Sequence, residues 1–103
     1  MYRKRQEQQP GQEGFRVRLP RENEIFGIVE QLYGGKRMNV KCADGKMRIC
    51  RVPGRLRRIW VRPEDIVLIK PWSVESDSKA DIVWRYKGAE VDWLKNNGYL
   101  KDL

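Results

Sequence analysis

Short apolar segments separated by turn signals run from residue 24 to residue 70, and they predict a series of β-strands. Ile, Phe and Val are dense over residues 24–33 (EIFGIVEQLY), and Gly34-Gly35 ends that segment. Gly27 in its middle predicts a bulge or sharp bend, as where one strand serves two sides of a small barrel. Two more short strands are predicted at 58–61 and 66–70, on either side of a proline turn.

A β-hairpin is predicted around Asp44-Gly45, which joins strands at 37–43 and 46–52. With a two-residue turn, Cys42 faces Met47. Alternation then divides the side chains between two faces. The core face is predicted to hold Met38, Val40, Cys42, Met47 and Ile49, and the outer face Asn39, Lys41, Arg48 and Cys50. The two cysteines would point to opposite faces, which disfavours a disulfide between them.

The C-terminal third predicts one more strand and a helix. Residues 81–86 (DIVWRY) alternate, with Ile82, Trp84 and Tyr86 on one face, and 89–97 predicts a short helix that ends at Gly98. Val91 and Leu94 would pack this helix on the rest of the fold. The fold class predicted is all-β, a five-stranded barrel with a C-terminal strand and short helix. The expected division is a flexible basic tail over 1–14, the barrel over 15–72 and a C-terminal extension over 73–103.

The charge distribution indicates what kind of partner the protein binds. Lys and Arg outnumber Asp and Glu by 22 to 14, which gives a net charge of +8. Most of the excess lies between residues 24 and 72. A basic excess confined to one segment favours a face that binds a polyanion, most often nucleic acid. No apolar run approaches the length of a membrane span, and the N-terminus lacks the apolar core of a secretory signal, so a cytoplasmic location is expected.

Residues for catalysis or metal binding are scarce. The chain has no histidine, which removes the commonest general base and metal ligand, and its two cysteines cannot complete a zinc site alone. Asp44, Glu64 and Asp65 are the carboxylates near the basic segment, and turns explain them better than a nuclease site does. We therefore expect no enzyme activity, no cofactor and no metal.

A cluster of arginines surrounds Trp60. Strand alternation places Arg58, Trp60 and Arg62 together on an outer face, which Lys41 and Arg48 could extend. Arginine binds phosphate and tryptophan stacks on an unpaired base, so the cluster predicts RNA binding. The alternative is a solvated charged face with Trp60 in the core. The acid-free run from 48 to 62 contains Arg48, Arg51, Arg55, Arg57, Arg58 and Arg62.

The hairpin at 37–52 contains no Phe, Tyr or Trp. This absence favours recognition of the backbone and shape of folded RNA over the reading of a string of unstacked bases. A general RNA chaperone on the same barrel remains the alternative function. Arg3, Lys4 and Arg5 in the tail are either a solvated end or a second set of RNA contacts.

Several motifs together resemble archaeal members of the translation initiation factor 1A family. They are the CADG…RIC hairpin, the loop Pro53-Gly54-Arg55, the basic RRIW segment and KADIVWRY, and the resemblance covers about residues 14–100. It implies an S1-like oligonucleotide-binding (OB) barrel with a helical extension, which binds the decoding (A) site of the small ribosomal subunit. The RNA-binding positions would be Lys41, Arg48, Arg51, Arg55, Arg57, Arg58, Trp60 and Arg62.

The resemblance also implies partners. Ribosomal RNA would be the direct contact, and the factor would promote recruitment of initiator tRNA and messenger RNA, toward which the basic tail would reach. Other initiation factors are candidate partners, and a monomer without membrane contact is expected. Eukaryotic members engage the large initiation GTPase through a long acidic C-terminal tail, whereas this sequence ends at Leu103.

Overall fold

The computed structural model describes residues 16–56 and 60–103, without the side chain of Arg55. The predicted tail at 1–14 lies outside these residues, as do Arg57 and Arg58. In the described part the strands are β1 (Ile25–Tyr33), β2 (Arg37–Cys42), β3 (Met47–Arg51), β4 (Ile66–Pro71) and β5 (Lys79–Arg85). A short 3-10 helix covers Gly54–Leu56, and one α-helix, α1, covers Gly88–Asn96.

The five strands form a closed barrel in the order β1-β2-β3-β5-β4. All neighbours are antiparallel except β3 and β5, which are parallel. The predicted barrel with a short C-terminal helix is therefore confirmed. The five strands of the barrel are not the five that were predicted. β5, which lies in the segment predicted as a C-terminal extension, closes the barrel. Trp60 and Val61 have no regular secondary structure, and the rest of the predicted strand at 58–61 lies outside the described residues.

Gly27 lies where β1 serves two neighbours. Its Cα pairs with Cys42 of β2 on one side and with Val67 of β4 on the other. A Cβ at this position would lie 2.5 Å from Cγ1 of the fully buried Val40. Glycine is therefore needed here for close packing. The prediction that one strand serves two sides of the barrel is confirmed, but the irregularity in pairing with β2 falls between Val29 and Gln31 rather than at Gly27.

The turn between β2 and β3 has three residues, and the predicted register is wrong by one position. The Cys42 amide donates to the Lys46 carbonyl at 2.9 Å, and Gly45 takes φ +87°. The observed partners are Lys41 with Met47, Val40 with Arg48 and Met38 with Cys50. Because a slip of one residue exchanges the two faces of a strand, the β3 side chains are inverted relative to the prediction.

Burial confirms the inverted face. Arg48 and Cys50 are buried, whereas Met47 and Ile49 are exposed. Cys42 and Cys50 both belong to the cluster of buried residues inside the barrel, and both are free thiols, so the predicted placement on opposite faces is wrong. Burial raises the pKa of the Cys42 thiol and raises that of Cys50 to about 12.

A second buried cluster joins α1 to the outside of the barrel. Leu94 is fully buried against Leu68 and Phe26, and Val91 packs at its margin, as the helix pattern predicted. The Glu90 carboxylate accepts a hydrogen bond from the Lys87 amide at 2.8 Å and so caps the first turn. Gly98 takes φ +80° just beyond the helix, which confirms its predicted place.

Candidate nucleic-acid interface

Trp60 is the most exposed large apolar side chain of the described residues, with 80% of its surface accessible. The alternative of a buried, structural Trp60 is therefore wrong. Its neighbour Val61 packs against the core inside the barrel, and the next residue, Arg62, is exposed. Alternation across these three residues is thus as expected, although no strand carries it.

The segment that bears Trp60 and Arg62 is tied to two strands, β1 and β5. The Trp60 carbonyl accepts a hydrogen bond from Nη1 of Arg85 in β5 at 2.9 Å. The Asp65 carboxylate accepts the Arg62 amide at 2.9 Å and lies 3.5 Å from Nε of Arg85. The Glu64 amide donates to Val29 of β1, and the Val29 amide donates to Asp65. The exposed indole therefore stands on an anchored backbone.

Arg48 does not lie on this surface. Its side chain is 3% exposed, and its two terminal nitrogens donate to the carboxylate of Asp44 at 3.0 and 2.9 Å. Its Nε donates to the Ser76 carbonyl at 2.6 Å. The prediction that Arg48 extends the outer face is wrong, because the three-residue turn points it inward. The bond to Arg48 also holds the pKa of Asp44 below its usual value.

The corrected register reveals a basic row that the sequence did not predict. Arg37 of β2 lies directly opposite Arg51 of β3 and, on its other side, opposite Tyr33 of β1. Arg37 and Tyr33 are exposed, and so is Lys41 further along β2. Alternation from the buried Met38 and Val40 could have identified Arg37, whereas the turn length determines that Arg51 lies opposite it on the same face.

Arg51 remains on the surface but has partners. Its Nε donates to the Asp81 carboxylate at 3.0 Å, and its guanidinium lies 5.1 Å from the centre of the Trp72 ring. The Trp72 indole donates to the same Asp81 oxygen at 2.9 Å. Over half of the Arg51 side chain is exposed, so the guanidinium is held in place and still reaches solvent.

The remaining predicted contacts lie beyond what the structure describes. The backbone of Arg55 is in the 3-10 helix, while Arg57 and Arg58 lie outside the described residues, as do Arg3, Lys4 and Arg5. Over 16–56 and 60–103, no group of three or more Cys, Asp or Glu could hold a metal ion. No helix within those residues is long and apolar enough to cross a membrane.

The strand order of the closed barrel and its one parallel pair define a barrel of the oligonucleotide-binding class. Residues 15–103 match the family described as translation initiation factor 1A / IF-1. The chain belongs to the translation initiation factor 1A / IF-1 family, which confirms the resemblance seen in the sequence.

Relatives cover most of the chain. Translation initiation factor 1A of Methanococcus maripaludis (strain C7) is 52% identical over 99 residues, 93% of this chain and 95% of that protein. The factor 1A of Methanothermobacter thermautotrophicus is 54% identical, over 87% and 92% of the two chains. That of Pyrococcus abyssi is 49% identical, over 92% and 85%.

A solved structure shows the same barrel. The solution structure of translation initiation factor IF-1 from the Wolbachia endosymbiont of Brugia malayi superposes with a TM-score of 0.51. The sequences are 31% identical, and the match covers 63% of this chain and 78% of that one. This supports the assignment of the barrel as an OB-fold.

Proposed function

We propose that this protein is a non-catalytic initiation factor that binds ribosomal RNA at the decoding (A) site of the small ribosomal subunit. In that position it promotes recruitment of initiator tRNA and messenger RNA in the cytoplasm. The observation that carries the proposal is the exposed Trp60 indole beside Arg62, on a segment anchored to the barrel. An indole that is 80% exposed offers a whole face to an unpaired base.

The outer face of β1, β2 and β3 supports contact with phosphates. Arg37 and Arg51 are directly opposite each other, and the single Asp81 carboxylate paired with Arg51 leaves a net positive charge at this point of the face. Lys41 lies on the same face. The other exposed β3 side chains on this face, Met47 and Ile49, carry no charge and no aromatic ring. Most of the face would therefore contact backbone and ribose, and Trp60 would contact a base.

The proposed RNA contacts are Lys41, Arg51, Arg55, Arg57, Arg58, Trp60 and Arg62, together with Arg37. Arg48 would act only indirectly, since its guanidinium is already bound to Asp44 and Ser76. Arg3, Lys4 and Arg5 would extend the interface toward messenger RNA and initiator tRNA. Binding to other initiation factors is part of the same proposal and would use surfaces away from these residues.

Co-sedimentation with purified small ribosomal subunits, measured against salt concentration, tests the proposal. Binding should weaken as salt is added. In a plot of the logarithm of the binding constant against the logarithm of the salt concentration, each phosphate neutralised should steepen the negative slope by roughly 0.7–0.9. Trp60→Ala should weaken binding by about 5–100-fold, the value of one stacked base. Lys101→Gln, which removes an exposed charge near the C-terminus, is the control and should leave binding unchanged. Absence of binding at low salt would disprove the proposal.

Chemical probing of the bound subunit locates the site. Protection of the decoding-site bases by the wild-type protein, and its loss in Trp60→Ala, is the expected result. The RNA-chaperone alternative predicts instead that short oligonucleotides of any sequence quench Trp60 fluorescence as strongly as the subunit does. Equal affinity for both ligands would favour that alternative.

A further inference from the structure

Arg85 lies in the barrel, away from the predicted arginine cluster, yet it contacts the segment that carries the cluster's aromatic residue. It belongs to β5, where its Cα pairs with Val67 of β4, so its backbone is part of the closed sheet. Its side chain reaches the carbonyl of Trp60, at 2.9 Å from Nη1. Within the described residues this is the only hydrogen bond that Trp60 makes.

The same guanidinium approaches the other end of the segment. Its Nε lies 3.5 Å from Oδ2 of Asp65, and that oxygen accepts the Arg62 amide at 2.9 Å. Arg85 therefore connects the backbone of Trp60 to the carboxylate that fixes Arg62. A planar guanidinium can donate from two nitrogens in fixed directions, which a single ammonium group cannot do.

The Nε atom of Arg85 supports a bridging role. It is fully buried and makes no hydrogen bond within the described residues, so its contact with Asp65 at 3.5 Å is an ion pair. A buried donor without a close partner is costly, so the position is held by its other contacts. Among residues 16–56 and 60–103, the one hydrogen bond that this side chain makes is to Trp60.

We propose that Arg85 is a positioning residue for RNA binding, which holds the backbone that presents the Trp60 indole to a base, without itself contacting phosphate. This inference rests on the proposed function. Fixing the backbone of an aromatic residue before binding saves part of the entropy of ordering that residue in the complex. Loss of Arg85 should therefore weaken binding through Trp60 and have no effect where Trp60 is already absent.

A double-mutant cycle on the full chain tests this inference. The variants are Arg85→Met, Trp60→Ala and both together, with affinity for purified small subunits measured by co-sedimentation. We expect Arg85→Met to weaken binding at least about fivefold, up to the loss caused by Trp60→Ala. In the Trp60→Ala background the same change should alter affinity less than about twofold. Arg21→Met removes an equal charge from an exposed arginine outside this segment and is the control.

A second measurement reports the indole directly. The four tryptophans can be replaced biosynthetically by 5-fluorotryptophan, and Trp60→Phe assigns the resonance of residue 60. Arg85→Met should shift or broaden that resonance in the free protein, while Arg21→Met should not. If Arg85→Met does not fold, Arg85→Lys, which cannot bridge Trp60 and Asp65 at once, carries the same cycle.

The outcomes separate the two proposals. If the wild-type protein does not bind the subunit, the proposed function fails. If it binds but the two mutations are additive, and Arg85→Met makes the salt dependence shallower by roughly 0.7–0.9, Arg85 is a direct phosphate contact and the positioning role is wrong. Unchanged affinity of Arg85→Met also overturns the inference.

Discussion

Arg48 and Asp44 form a two-pronged hydrogen-bonded ion pair across the turn between β2 and β3, at 3.0 and 2.9 Å. The Arg48 Nε donates to Ser76, so one buried guanidinium joins the hairpin turn to the connection between β4 and β5. This arginine therefore stabilises the fold, whereas Arg51 and Arg62 of the same basic segment face solvent.

Arg48→Met should destabilise the protein by about 2–4 kcal/mol, because it leaves the Ser76 carbonyl and the Asp44 carboxylate without their partner. Asp44→Asn should have a similar effect, since it leaves a buried charge unpaired. The double variant should lose less than the sum of the two, because each change removes what the other leaves unpaired. Urea unfolding followed by circular dichroism measures all three, with the exposed Arg62→Met as a control expected within about 0.5 kcal/mol of wild type. Additive losses would contradict the pairing.

The loss of stability at low pH should depend on the same ion pair between Arg48 and Asp44. The hydrogen bond from Arg48 lowers the pKa of Asp44, so the unfolded chain binds a proton at this carboxyl before the folded protein does. The contribution of the pair to the free energy of unfolding is therefore complete above the ordinary pKa of an aspartate, about 4. It is lost as the pH falls through the lower pKa of Asp44 in the folded protein. Asp44→Asn should flatten the fall in stability below about pH 4, and Glu22→Gln at an exposed position should not. If the free energy of unfolding falls equally steeply with pH in Asp44→Asn and in the wild type, the contribution of this pair is disproved.

The hairpin shows how far local sequence predicts the fold. Asp44-Gly45 correctly predicted a turn, but it fits a two-residue turn as well as a three-residue turn in which Gly45 takes the left-handed position. The choice between them inverts β3, and with it the roles of Arg48 and Ile49. An apolar residue outward and an arginine inward is the reverse of the usual pattern, and the bonds of Arg48 to Asp44 and Ser76 compensate its burial.

The fifth strand was unpredictable for a different reason. Alternation predicts a strand at 81–86, close to the observed β5, but the place of this strand between β3 and β4 depends on a parallel pairing of residues about 30 positions apart. Local alternation carries no information on such partners. The exposure of Trp60 could be predicted, because its neighbour Val61 is the apolar residue that enters the core. The hydrogen bond from Arg85 to the Trp60 carbonyl could not be predicted, because it depends on the tertiary fold.

Gly27→Ala should destabilise the protein by about 1–3 kcal/mol, because the added methyl group would overlap Cγ1 of Val40 in a core without space for it. Gly88→Ala at the start of α1 is the matched control, since a Cβ there meets nothing within 4 Å. It should be neutral or stabilising by up to about 1 kcal/mol through helix propensity. Thermal unfolding of the two variants measures the difference. A Gly27→Ala protein as stable as wild type would show that β1 can move away from β2.

The two cysteines should be unreactive in the folded protein. Both are fully buried, and burial raises the pKa of each thiol, so the reactive thiolate is scarce at pH 8. Labelling with a thiol-specific disulfide reagent should be slow in buffer and fast in urea. Because the folded pKa values are raised, the unfolded chain ionises first, and stability should decline as the pH rises above about 9. Rapid labelling of either cysteine under native conditions would contradict its burial.

Arg37→Gln should separate binding from stability. Arg37 faces Arg51 across β2 and β3, and its removal relieves a repulsion between like charges, so the free protein should be unchanged or more stable by up to about 1 kcal/mol. If Arg37 binds a phosphate of the small-subunit RNA, the same change should weaken binding and make the salt dependence shallower by roughly 0.7–0.9. Thermal unfolding and salt-dependent co-sedimentation measure the two effects, with Lys101→Gln as the control for loss of one positive charge. A parallel loss of stability and affinity would identify Arg37 as a structural residue, whereas opposite signs would place it in the RNA interface.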